Sequence, residues 1–109
     1  MASSAKSPGT GSGSKAAGKG AVLSMTRALA VEGASKGIRA NTISPGLVET
    51  DITQGKLSDA QKAQIAETIP LARLGRPADI AGACVFLASE LSGYCTGITL
   101  DVNGGMLIH

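Results

Sequence analysis

Two runs of strand character, each closed by a turn signal and separated by more than fifty residues, constrain this chain more than anything else in it. The first is IRANTIS (38–44), with Ile38, Ala40, Thr42 and Ser44 on one side of a pleat, Arg39, Asn41 and Ile43 on the other, and Pro45–Gly46 as the stop. The second is ITLDV (98–102), ended by Asn103, Gly104 and Gly105. Helical patterns lie between them, and strand, helix, strand predicts a parallel pair joined by a right-handed crossover. Parallel strands are normally covered on both faces and flanked by further strands. Two such strands with three helices are therefore only part of a layered α/β sheet, incomplete on its amino-terminal side.

The helices carry their own start and stop signals. In AVLSMTRALAVEGASK, Val22, Met25 and Leu29 recur at helical spacing and Glu32 precedes Lys36 by four residues, which predicts an amphipathic helix from Ala21. Gly37 suits the left-handed cap, while Gly33 in the last turns predicts a frayed end. A short helix is expected from about Ser58 to Thr68, with Ser58 as its cap and Ile65 and Ile69 docking one face, inside a polar, lid-like segment from Leu47 to Leu71. In GRPADIAGACVFLAS, Pro77 suits a first turn and Asp79 faces the positive end of the helix dipole. Ile80, Ala83, Cys84, Leu87 and Ala88 form an apolar stripe read as core.

Composition narrows the function classes. Hydrophobic residues make up 43% and charged residues 17%, so the chain as a whole is not a disordered polymer, but Phe86 and Tyr94 are its only aromatics and small side chains must fill the core. No apolar run reaches the length of a membrane span and no secretory signal opens the chain, so a soluble cytoplasmic protein is expected. Residues 1–20 are rich in Gly, Ser and Ala and read as a flexible leader, with residues 21–109 as the folded part. The leader carries Lys6, Lys15 and Lys19 without an acid, yet a net charge of +2 is too small a footprint for nucleic acid. Cys84 and Cys95 lack metal-ligand neighbours, and His109 is the only histidine and the last residue, so neither a metal site nor a histidine triad is expected.

Three blocks in order, KxAAGKGAVLSMTRALAVEGASKGIRANTISPGLVETDI, IPLARLGRPADIAGACVFLAS and SGYCTGITLDVNGGM, resemble the carboxyl-terminal half of the short-chain dehydrogenase/reductases. The nearest flavour is the 3-oxoacyl-[acyl-carrier-protein] reductase type, over about residues 19 to 107. The resemblance implies a partial Rossmann-like, doubly wound α/β fold, in which this chain supplies the last two strands, their helices and the substrate lid. The glycine-rich pyrophosphate loop belongs to the first half of such a fold.

The chemistry the resemblance implies is hydride transfer between NAD or NADP and a small carbonyl or alcohol substrate. The family uses a Tyr-x-x-x-Lys pair, in which the tyrosine hydroxyl protonates the developing alkoxide and the ammonium lowers its pKa and holds the nicotinamide ribose. By register the lysine is Lys19, the catalytic and cofactor-binding candidate, and the tyrosine position falls on Lys15. Two lysines at i, i+4 repel and an ammonium does not reproduce a rigid phenol, so Lys15 is not expected to replace it. Tyr94 is the chain's only tyrosine and matches the family's structural turn before the last strand. The family serine falls near Ser3 or Ser4, which read as linker residues in preference to a catalytic serine.

In SPGLVET the resemblance implies that Pro45 and Gly46 turn under the nicotinamide, that Val48 backbone groups meet its carboxamide, and that Thr50 bonds toward the carboxamide or pyrophosphate. Glycine permits such a close backbone approach. Asp79 reads as a helix cap and NGG as a turn near a subunit interface, which implies a homo-oligomer or a full-length family member as partner. The expected reading is a truncated NAD(P)-dependent oxidoreductase, inactive alone. Two rivals stand beside it: a non-catalytic interaction module that pairs through the strand edge at 38–44, and a gene fragment without function. An isolated chain is expected to be molten or self-associated.

Overall fold

The computed structural model describes residues 11–50 and 55–108, of which residues 11–16 are described by their backbone alone. The elements run α1 (Gly11–Ala34), β1 (Thr42–Pro45), α2 (Asp59–Glu67), α3 (Pro77–Ala88), a 3-10 turn (Glu90–Ser92) and β2 (Thr99–Val102). The two strands pair in parallel, Thr42 opposite Thr99 through Pro45 opposite Val102. Ser3 and Ser4 lie outside the described residues.

Helix α1 begins at Gly11 rather than at Ala21, so residues 11–20, expected as leader, are helical. Lys15, Ala16, Ala17 and Lys19 are good helix formers, and extending an existing helix costs far less than nucleating one. Its phase also differs from the expected stripe. Met25 and Leu29 are half exposed, whereas Ala30 is 4% exposed and Gly33 is buried. The face against the sheet is thus made of small groups: the Thr26 and Thr42 hydroxyls share a hydrogen bond of 2.6 Å, and a Cβ on Gly97 would lie 3.4 Å from the Ala30 Cβ. Gly33 is needed there, because a Cβ would come within 3.0 Å of the Ile38 Cβ and 3.1 Å of its carbonyl.

The end of α1, expected to fray at Gly33, is instead closed by a cap. Gly37 takes φ +71°, its N–H donates to Ala34 O at 3.1 Å, and the Ile38 N–H donates to Gly33 O at 3.0 Å. That double bond pattern around a left-handed glycine ends the helix and satisfies carbonyls that would otherwise be orphaned.

Helix α2 begins at its expected cap: Ser58 Oγ accepts from Gln61 N at 3.1 Å while Gln61 Oε1 accepts from Ser58 N at 2.9 Å. Helix α3 has Pro77 at its start, and Asp79 Oδ2 accepts the Arg76 N–H at 2.7 Å. The stripe on α3 read as core is only half realised. Ile80, Ala83 and Leu87 are half-buried toward the strands, but Cys84 and Ala88 are exposed and α3 holds no buried residue. Two strands are too narrow to cover a helix of twelve residues.

The strand predicted over residues 38–44 is shorter in the ladder, because Asn41 replaces backbone pairing with side-chain pairing. Asn41 Oδ1 accepts from Ile98 N at 3.2 Å, and its Nδ2 donates to Cys95 O at 3.1 Å. Among the described residues the buried apolar side chains are Ala30 and Ile69. No helix there is long and apolar enough to cross a membrane.

Candidate functional site at the carboxyl ends of the strands

Parallel strands deliver their outgoing loops to one end of the sheet, the end where open α/β sheets bind ligands. Here the loop after β1 (46–50) and the turn after β2 (103–106) leave that end side by side. Between them and the start of α3 lies a cavity of about 220 Å³, lined by Leu47, Arg73, Gly75, Asp79, Val102 and Asn103 among others.

Each expected site residue on the loop has a definite position. Pro45 closes β1 opposite Val102, and the Gly46 N–H continues the ladder to Val102 O at 2.9 Å. Gly46 has a neighbour that sequence reasoning missed: a Cβ there would stand 2.7 Å from the Asn103 Cβ and 2.8 Å from its Cα. Val48 forms a parallel bridge with Gly75, through Gly75 N to Leu47 O at 2.9 Å and Glu49 N to Gly75 O at 2.8 Å. Thr50 comes next and is exposed. The backbone of residues 46–49 is therefore fixed on both flanks.

Lys19 lies on α1 and is half-buried. Two contacts fix the direction of α1 against the strands, Ala30 beside Gly97 and Thr26 bonded to Thr42, so α1 runs antiparallel to β1. Helix rise then carries Lys19 roughly 10 Å beyond Thr26, while β1 advances roughly 10 Å from Thr42 to Pro45. Lys19 and the loop after β1 thus stand at the same end of the sheet. The side chain of Lys15 lies outside the described residues. Tyr94 is fully exposed in the turn after Ser92. Among the described residues no three of His, Cys, Asp and Glu come together to hold a metal.

One wall of the cavity is an ion pair that local patterns did not reveal. Arg73 Nη1 donates to Asp79 Oδ2 at 2.8 Å and Nη2 to Oδ1 at 3.2 Å, a two-point contact. The Arg73 hydrogen bond, then the Arg76 N–H, lowers the Asp79 pKa from the usual 3.8 to about 2, and the same contact raises that of Arg73. Because the folded carboxyl is depressed, its contribution to stability is fully present above pH 3.8 and is lost as pH falls through about 2. Carboxyl NMR is expected to give Asp79 a midpoint of about 2. In Arg73→Gln that midpoint should rise; an unmoved midpoint would assign the shift to the helix start instead.

The family model described as enoyl-(acyl carrier protein) reductase matches residues 1–107. An uncharacterized short-chain type dehydrogenase/reductase of Sinorhizobium fredii is 52% identical over 93 residues, covering 85% of this chain and 37% of the relative. A 3-oxoacyl-[acyl-carrier-protein] reductase of Vibrio harveyi is 50% identical over 91 residues, covering 84% of this chain and 37% of the relative. Among solved structures, an NADPH-bound short chain oxidoreductase from Pseudomonas aeruginosa containing an atypical catalytic center superposes with TM-score 0.80 at 41% identity, over 87% of this chain and 39% of that one. A short-chain dehydrogenase/reductase of Brucella melitensis, of the glucose/ribitol dehydrogenase type, gives TM-score 0.76 at 43% identity, over 85% and 37%. The chain spans under two fifths of the length of these relatives. With a family match over nearly all its residues, and a parallel α/β architecture that superposes on solved members at TM-scores of 0.76 and 0.80, the chain belongs to the short-chain dehydrogenase/reductase family.

Proposed function

We propose that this chain carries the nicotinamide-side wall of an NAD(P)-dependent oxidoreductase acting on a small carbonyl or alcohol, and that its 109 residues alone do not transfer hydride. The observation that carries this reading is the convergence of the post-β1 loop and the post-β2 turn on one cavity at the carboxyl ends of the strands. In this reading Gly46 and Val48 present backbone to the nicotinamide carboxamide, Thr50 bonds beside them, and Lys19 reaches the ribose from α1. When bound, the cofactor would give hydride to a carbonyl in its reduced form or take it from an alcohol in its oxidised form. The chain's own part is to hold the ring and exclude water from one side of it.

The missing contribution is the proton. With Tyr94 as its single tyrosine, exposed in a turn, the chain offers no phenol beside Lys19. Loss of a positioned general acid costs on the order of 10²- to 10⁴-fold in rate. The NADPH-bound neighbour, itself described as having an atypical catalytic center, supports a nicotinamide cofactor.

Titration with NADH and NADPH, read by nicotinamide fluorescence together with thermal shift, tests the reading. Saturable binding that raises the melting temperature, abolished by crowding the loop, is the expected result if this wall holds the ring; no binding and no shift would overturn cofactor binding by the chain alone. A second reading, an interaction module, is favoured by the large apolar side chains left open: Val31 is 78%, Val85 69% and Leu91 85% exposed. Surfaces of that kind mark contacts with other protein. Co-purification with a full-length reductase, without cofactor binding, would favour it.

A further inference from the structure

The turn after β2 is built from residues that do not hold a shape by themselves. Gly104 and Gly105 take φ +64° and +89°, the pair of positive angles of a type I′ turn, and the Met106 N–H closes it onto Asn103 O at 3.1 Å. Two adjacent glycines have more backbone freedom to lose than any other pair. The Asn103 side chain supplies the restraint they lack: Oδ1 accepts the Gly105 N–H at 2.9 Å and Nδ2 donates to Leu107 O at 3.0 Å. One carboxamide thus bonds both inside the turn and just beyond it.

The turn touches a different segment on each side. Toward the loop after β1, Asn103 Cα and Cβ fill the space over Gly46, whose N–H bonds to Val102 O. Toward residues 69–71, Gly104 O accepts the Leu71 N–H at 3.0 Å, and a Cβ on Gly104 or Gly105 would stand 2.8 Å from Ile69 Cγ2 or 3.1 Å from Pro70 Cβ. Leu47, Leu71 and Asn103 all line the cavity at this end of the sheet. The far end of the loop is held by other groups: the Glu49 N–H donates to Gly75 O, and Lys62 Nζ pairs with Glu49 Oε1 at 2.8 Å.

We propose that Asn103 is a positioning residue for the cofactor-facing segment: by fixing the shape of the turn, its carboxamide sets the spacing between the loop after β1 and residues 69–71, and with it the width of the cavity. It acts through the backbone of the turn and not on the reacting atoms. The functional meaning of that spacing rests on the reading of residues 45–50 as the segment that meets the nicotinamide. Without the carboxamide the turn keeps the Met106 to Asn103 bond, but two glycines with many other conformations open to them then separate Gly46 on one side from Leu71 on the other. Both segments lose a fixed surface at once, which is how a spacer differs from a tie to either one alone.

Amide hydrogen exchange on the whole chain tests the spacer without cofactor. Asn103→Ala removes both side-chain bonds and is expected to speed exchange of the Gly105, Gly46 and Leu71 amides together by about tenfold, the effect of losing one to two ordinary hydrogen bonds. The Thr42 amide, bonded to Ile98 O, and the amides of residues 26–30 in α1 should be unchanged. Asn103→Asp keeps the acceptor for Gly105 and loses the donor to Leu107 O, so Gly105 should stay protected while Gly46 and Leu71 accelerate less than in the alanine variant. Acceleration confined to residues 104–107, acceleration spread evenly over the chain, or Gly46 and Leu71 amides already unprotected in the parent would each overturn the proposal. Titration with NADH and NADPH, at a temperature where parent and variants are folded, adds the functional readout: Asn103→Ala should bind about tenfold more weakly, with Asn103→Asp between it and the parent. An alanine variant that binds as tightly as the parent would overturn the positioning role. A parent that binds neither cofactor would count against the reading of residues 45–50 and would leave the exchange result to decide the spacer.

Discussion

Replacing Arg39 by methionine is expected to destabilise the fold by about 3 kcal/mol, the largest loss from any single side chain here. The guanidinium reaches across the chain to five acceptors: Leu87 O at 3.0 Å, Ser89 O at 3.2 Å, Ser92 O at 2.8 Å, Ser92 Oγ at 3.1 Å and Cys95 O at 2.9 Å. Two of the five, Leu87 O and Ser89 O, lie where α3 ends and the 3-10 turn begins, so a cation there satisfies carbonyls that the helix leaves open and opposes the negative end of its dipole. The acceptors are not wholly dependent on it. Ser92 O also receives the Cys95 N–H, Leu87 O the Ser92 hydroxyl, and Cys95 O the Asn41 amide. Hence the loss is that of the charged donor rather than of five orphaned carbonyls, and about 3 kcal/mol is more realistic than a sum over five charged bonds. Whole native domains are stable by only roughly 5 to 15 kcal/mol, so for a chain whose buried apolar side chains among the described residues are Ala30 and Ile69 that loss is a large fraction. Urea unfolding should show it as a lower midpoint, with the earliest exchange at Ser92 to Cys95, where Ser92 is 1% exposed. Arg39→Lys keeps the charge but not the planar fork and should recover less than half. A methionine variant with unchanged midpoint would show that Arg39 is held by the turn rather than holding it.

What the sequence made legible and what it hid divide along chain distance. Pro77, Asp79, Ser58 and Gly37 act within one helical turn of themselves, and each stands where its residue type alone required. Parallel pairing was legible for a similar reason, since two stopped strands around helices admit few topologies. Arg39 was not: its partners lie 48 to 56 residues away, and a polar residue on one side of a strand carries no mark of them. The contact face of α1 was misread because hydropathy favours large residues, whereas Thr26 and Ala30 face the sheet for their small size and Gly33 leaves room for Ile38. Large side chains cannot occupy a face where backbone approaches within contact distance. At the candidate site the loop from Pro45 to Thr50 was legible as a family phrase, but its supports, Gly75, Lys62 and Asn103, come from three other segments and have no signature near it.

Asn103 sets the second large effect. Gly46→Ala is expected to cost at least about 2 kcal/mol and to abolish any cofactor binding by the loop. The new methyl would lie 2.7 Å from the Asn103 Cβ and 2.8 Å from its Cα. Those atoms belong to backbone and the root of a side chain, so no rotamer change relieves the overlap; the loop after β1 must separate from the turn after β2. Separation breaks the Gly46 N–H bond to Val102 O and pulls apart the two segments that wall the cavity. Helix propensity supplies a control of opposite sign. Gly82 lies inside α3, and a Cβ there meets nothing within 4 Å. Gly82→Ala is therefore expected to stabilise by up to about 1 kcal/mol. Thermal melts of the two variants beside the parent, with NADH and NADPH titrations, separate steric from generic effects. Midpoints that move in opposite directions, with binding lost in Gly46→Ala alone, match the expectation. A stable Gly46→Ala variant would mean that the two loops have room to part, and that the glycine is present for what the loop binds rather than for Asn103.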